Sequence, residues 1–169
     1  MAALAAMATT GLLTAHAQAA RTLAYQVSPW AGPLAGFSLV DTTGKIWRPD
    51  DFQGRSVLLN FWASWCEPCR AEMPSLQQVA DQYGPDRLLV LAVNFKERPE
   101  RVVQFAKSTG LTLPLPLLLD VDGQAARRWN VKVFPTTLGI DRQGKPALRV
   151  QGEVDWTGQA AEKLIAGLL

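Results

Sequence analysis

The sequence predicts an α/β sandwich: a mixed central β-sheet flanked by helices. Three features predict it. Ser56–Trp62 is an unbroken, mostly apolar run of strand length that passes into an amphipathic helix. Residues 87–95 and 99–109 repeat the order of buried strand, then helix. Near the C-terminus, two β-like segments, 136–140 and 148–152, flank Asp141-Arg142-Gln143-Gly144, a tight-turn sequence, and a last helix follows.

Taken in chain order, residues 20–35 hold Pro29, Gly32 and Pro33 without a hydrophobic period and read as a linker or extended arm. The domain is expected to span 36–169. Residues 37–40 predict a strand, 41–45 a turn and 46–47 the return, giving an N-terminal β-hairpin. The helix from Pro68 onward carries Met73, Leu76, Val79, Ala80 and Tyr83 on one face and ends at Gly84-Pro85. Pro74 lies inside it and predicts a kink. In the next helix, Pro99 stands near the start and Gly110 just past the end. Residues 117–119 read as a short strand and 124–129 as a short helix. Residues 156–168 read as a closing helix through Ala160, Ala161, Leu164, Ile165 and Leu168.

With 169 residues, 48% of them hydrophobic and 19% charged, the chain supports one domain with a full core and is not disordered. A net charge of +2 carries no basic stripe of the kind a nucleic-acid binder needs, and Arg127-Arg128 reads as the solvated face of a helix. Residues 1–19 differ from the rest. An uncharged apolar stretch runs to Leu13, then Ala15-His16-Ala17 and Ala17-Gln18-Ala19 offer small-x-small cleavage sites. This reads as a cleavable export signal to the periplasm or beyond. A disordered terminus and a short uncleaved anchor are the alternatives. His16 is the only histidine. Its removal leaves no histidine as base, metal ligand or pH switch.

Cys66 and Cys69 are the only cysteines, two residues apart at a predicted helix start. There, unpaired N–H groups and the helix dipole favour a thiolate at Cys66. Cys66 is then the accessible attacking thiol. Cys69, covered by the chain, resolves the mixed disulfide. A zinc site lacks its other ligands. A static staple gains little from so short a loop. No cofactor is expected beyond the redox-active pair, and no metal.

The run from Asn60 to Pro74, containing Trp65-Cys66-Glu67-Pro68-Cys69, resembles the active site of the TlpA/ResA-like branch of the thioredoxin superfamily. Residues 37–45, Val133-Phe134-Pro135-Thr136-Thr137 and the 141–144 turn match in the same order. The resemblance implies a thioredoxin fold and a thiol–disulfide oxidoreductase that reduces disulfides of exported client proteins, in cytochrome c maturation or copper-site assembly. It implies a membrane-bound electron donor and a monomer. It further implies a cis Phe134–Pro135 peptide beside the cysteines, with Trp65, Glu67, Pro68, Phe134, Pro135 and Thr136 forming the client-binding surface. ResA-like proteins carry a functional Glu where this chain has Glu72. Thioredoxins carry Asp where it has Asn60, which cannot ionise, so the resemblance casts Glu72 as the proton acceptor. The alternative for Glu72 is an exposed helix charge paired with Arg70. DsbA-like oxidants place His where Glu67 stands, so a reductase of low potential is implied. The haem-maturation CcmG type has an acid in the cis-proline loop that Val131 to Thr136 lacks. Rival classes are a peroxiredoxin-like thiol peroxidase and a redox-inert or metallochaperone binding module on the same fold.

Overall fold

A computed structural model describes residues 25–34, 37–109 and 115–169. The expected export signal at 1–19, with His16, lies outside the described residues, as do 20–24, Ala35, Gly36 and the helix stop Gly110. The strands are β1 (Tyr25–Pro29), β2 (Leu39–Val40), β3 (Ile46–Trp47), β4 (Ser56–Trp62), β5 (Leu88–Phe95), β6 (Leu117–Asp120), β7 (Thr136–Ile140) and β8 (Pro146–Gly152). The α-helices are α1 (Glu67–Tyr83), α2 (Pro99–Ser108), α3 (Gln124–Arg128) and α4 (Gln159–Ala166).

Six strands form one sheet in the order β1-β8-β7-β4-β5-β6. The β4–β5 and β5–β6 pairs are parallel, while β4–β7, β7–β8 and β1–β8 are antiparallel. The sheet is mixed, as the element order predicts. β2 and β3 form the expected hairpin, and an isolated bridge from Asp41 to Leu118 docks it on β6.

The sheet continues into the segment read as a linker or arm. Tyr25–Pro29 pairs with β8 along its whole length. It is a mostly exposed edge strand, where Pro29, which has no N–H to donate, is tolerated because no further described strand pairs outside it. The last helix is shorter than its apolar period suggests. Trp156 N–H is taken by Ser75 Oγ and Thr157 N–H by Asp155 Oδ1, so a loop precedes the cap at Gly158. Arg127 and Arg128 are exposed on α3.

All seven residues of β4 are buried, so both of its faces are in the core. Val57, Leu59 and Phe61 pack on one side with Trp129 and Phe37. Leu58 packs on the other side with Leu76 and Val79 of α1, and Trp62 with Cys69 and Met73. Strand alternation therefore turns Asn60 toward α1 as well, between two apolar neighbours of that face. α1 runs unbroken past Pro74 and stops at Gly84, whose φ of 71° lies in the left-handed region that favours glycine.

Candidate active site

β4 delivers the chain to a turn that closes with Cys66 N–H on Ala63 O at 3.1 Å. Cys66 is the N-cap of α1, and its sulfur accepts the Cys69 N–H at 3.3 Å. One of the unpaired donors of the first helical turn thus already points at Cys66 Sγ, where a thiolate charge would develop. The two sulfurs are bonded to each other, with their Cα atoms 5.3 Å apart.

Cys69 is fully covered, as expected. Cys66 is less open than expected, at 5% exposure, because it too packs in the cluster of Trp62, Met73 and Phe105. The open group is Trp65, at 63%. Glu67 is exposed and Pro68 half-buried in the first turn of α1.

The Phe134–Pro135 peptide is cis. Phe134 is half-buried. Its ring lies 4.8 Å from that of Phe95 and meets Trp65 edge-on at 6.0 Å. Pro135 and Thr136 are buried: Pro135 O accepts the Gly152 N–H and Thr136 Oγ1 donates to Val133 O. Val133, at 51% exposure, extends the open apolar surface beside them. The structure thus joins the two distant motif segments through Trp65 and Phe134.

Glu72 is not a surface charge. It is 2% exposed and makes no ion pair with Arg70. Asn60 Nδ2 donates to its Oε1 at 2.6 Å, and Val154 N–H donates to its Oε2 at 3.1 Å. The Asn60 amide also donates to Thr137 Oγ1 at 3.0 Å, which fixes its plane. Trp156 lies against the carboxyl with its indole N–H outside hydrogen-bonding geometry. Burial pushes Glu72 up, the hydrogen bonds from Val154 and Asn60 pull it part of the way back, the charge of Glu153 adds to the rise, and the balance stands at about 7. Helical spacing puts Glu72 one turn beyond Cys69 on the same face of α1.

Sequence reasoning passed over Val154 and the groups that hold Ser64, the residue before Trp65, and gave Thr137 no role beyond its place in the matched segment. No local signal marks Val154 or those groups, because each reaches the site from another element.

The family model described as the AhpC/TSA family matches residues 32–147. The thiol-disulfide oxidoreductase ResA of Geobacillus kaustophilus is 38% identical over 109 residues, covering 64% of this chain and 62% of its own. The thioredoxin-like protein YneN of Bacillus subtilis is 43% identical over 111 residues, covering 64% of this chain and 63% of its own. The chain thus spans less than two thirds of the length of these curated relatives. Among solved structures, the exposed lipoprotein thioredoxin Etrx1 of Streptococcus pneumoniae superposes with a TM-score of 0.66 at 30% identity, covering 78% of this chain and 98% of that one.

Proposed function

We propose that this chain, which belongs to the AhpC/TSA family and is a ResA-like member of the thioredoxin superfamily, is a thiol–disulfide oxidoreductase that reduces client protein disulfides. The observation that carries the reading is the cysteine pair at the N-terminus of α1, with Cys66 Sγ already accepting a helix N–H and Trp65 open beside it. The reduced Cys66 thiolate attacks one sulfur of a client disulfide, and the other client sulfur leaves as a thiolate. Cys69 loses its proton and attacks Cys66 Sγ, expelling the second client sulfur and re-forming the Cys66–Cys69 bond. Two electrons pass to the client. A donor, which we take to be membrane-bound, returns them. Glu72 receives the Cys69 proton.

Trp65, Phe134 and Val133 form the client platform, with Glu67, Pro68, Pro135 and Thr136 shaping its edges. We place the protein outside the cytoplasm, as a monomer acting on cysteines of cytochrome c or copper-site proteins. No described helix is long and apolar enough to cross a membrane.

The direct test offers the reduced protein insulin disulfides and, separately, hydrogen peroxide. Insulin reduction with slow peroxide loss is expected. Faster consumption of peroxide would instead make it a thiol peroxidase.

The direction of exchange gives a further expectation. Glu67 is exposed in the first turn of α1, where a second negative charge disfavours the Cys66 thiolate and so the reduced form. The potential is expected nearer that of thioredoxin (about −270 mV) than of DsbA (about −120 mV). Glu67→His should raise it, by at least on the order of 10–30 mV for an exposed charge at a helix end. Equilibration against glutathione measures both proteins. A wild-type value above roughly −180 mV, in the range of strong oxidants, would overturn the reductase assignment.

A further inference from the structure

We infer that Glu97 is a positioning residue that latches the turn before Cys66, holding Trp65 as a fixed docking surface for the protein client. This deepens the reductase reading and rests on it. The turn runs from Ala63 to Cys66, so its two corner residues are Ser64 and Trp65. The Ser64 corner is held by one carboxylate. Ser64 N–H donates to Glu97 Oε2 at 2.7 Å, and Ser64 Oγ donates to Glu97 Oε1 at 2.6 Å. Two bonds from backbone and side chain to one charged acceptor fix the residue's rotation as well as its place.

The acceptor is itself held. Asn94 Nδ2, on buried β5, donates to Glu97 Oε2 at 2.8 Å. Arg101 Nε lies 4.0 Å from Glu97 Oε1 and donates to Ser64 Oγ at 3.2 Å. Between Asn94 and Glu97 the backbone makes an uncommon move. Lys96 has φ 57°, in the left-handed region, and its N–H is tied to Asp120 O. A non-glycine residue held there is the kind of local strain that collects at functional sites.

The other corner of the turn is what the latch presents. Trp65 is 63% exposed and its ring meets that of Phe134 edge-on at 6.0 Å, so its own packing does little to fix it. Rigid presentation matters to a folded client, which must dock before its disulfide reaches Cys66. It matters far less to a small disulfide, which needs only an open sulfur.

The test compares wild type, Glu97→Ala, Glu97→Gln and Ser64→Ala, with dithiothreitol as reductant. Each is assayed on insulin disulfides and on hydroxyethyl disulfide. The Trp65 indole N–H resonance, assigned by its loss in Trp65→Phe, is recorded alongside. In Glu97→Ala, kcat/KM on insulin should fall about tenfold to a hundredfold, chiefly through KM. Turnover of hydroxyethyl disulfide should change little, and the Trp65 resonance should broaden. Ser64→Ala, which removes one hydroxyl and spares the carboxylate, should fall between. Glu97→Gln should restore most of the insulin activity, since its amide oxygen accepts the Ser64 N–H and its NH₂ donates to Ser64 Oγ. An equal fall on both disulfides, or a sharp Trp65 resonance in Glu97→Ala, would overturn the latch. If wild type reduces neither disulfide, the reductase reading fails. The latch is then judged by the Trp65 resonance alone, which should broaden in Glu97→Ala and recover in Glu97→Gln.

Discussion

Cys66→Ser is expected to reduce turnover of insulin disulfides to background, while Cys69→Ser reacts once and stalls as a mixed disulfide. The difference follows from position rather than exposure. Both cysteines are nearly covered, at 5% and 0% exposure. Only Cys66 is the N-cap, directly behind the open Trp65, and only its sulfur accepts an N–H of the first helical turn. That donor stabilises negative charge at Cys66 and makes it both the better attacking thiolate and the better leaving group. Cys69 lies one turn inside the helix and packs with Trp62 and Met73. A buried thiol in apolar surroundings ionises late and reaches no client directly. Mass spectrometry of the Cys69→Ser protein after exposure to oxidised client should find adducts on Cys66, and the captured proteins name the client. Adducts on Cys69 in the Cys66→Ser protein would reverse the assignment.

The parts of this fold that could be read from the sequence are those whose signal is local. β4 and β7 are found at their expected bounds because a strand buried on both faces is a continuous run with abrupt ends. α1 shows its period and its glycine stop. β1 was hidden because an edge strand with an exposed face has no hydrophobic run, and Pro29 and Gly32 look like loop punctuation. α4 starts later than the helical period predicts: Trp156 is apolar and fits that period. It is instead buried through a loop that Ser75 and Asp155 hold.

The site divides in the same way. Cys66, Cys69 and Trp65 stand in one short motif, which shows their chemistry directly. The environment of Glu72 is assembled from Asn60 and Val154, 12 and 82 residues away, and the Ser64 anchor from Glu97, 33 residues away. Periodicity can place Glu72 on a helix face. Only the packed sheet shows that this face is buried and that the acid's partner there is a neutral amide.

That environment makes Glu72→Gln the most informative single substitution. Removing a well-placed general base slows a proton-transfer step by about 10²–10⁴-fold, and the step concerned is the resolution of the mixed disulfide by Cys69. Burial raises Glu72 from 4.5 to about 7, so the basic form becomes the major one only above neutrality. The wild-type resolution rate should therefore rise with pH, with a midpoint near 7. The Gln variant should lack this limb, and the two rates should converge in acid, where Glu72 carries its own proton.

Stability supplies an independent reading of the same group. The folded protein binds a proton at Glu72 that the unfolded chain releases near 4.5 and the folded one holds to about 7. Between those values the folded state carries more protons, so stability contributed at low pH is lost as pH rises, by about 3 kcal/mol in all. Glu72→Gln should flatten that slope. Denaturant unfolding from pH 4 to 8 measures the slope, and single-turnover decay of a mixed disulfide on Cys66 measures the rate over the same range. Rate profiles that overlay, in proteins whose stability profiles differ, would show that Cys69 passes its proton directly to solvent and that the buried acid plays no part in the exchange.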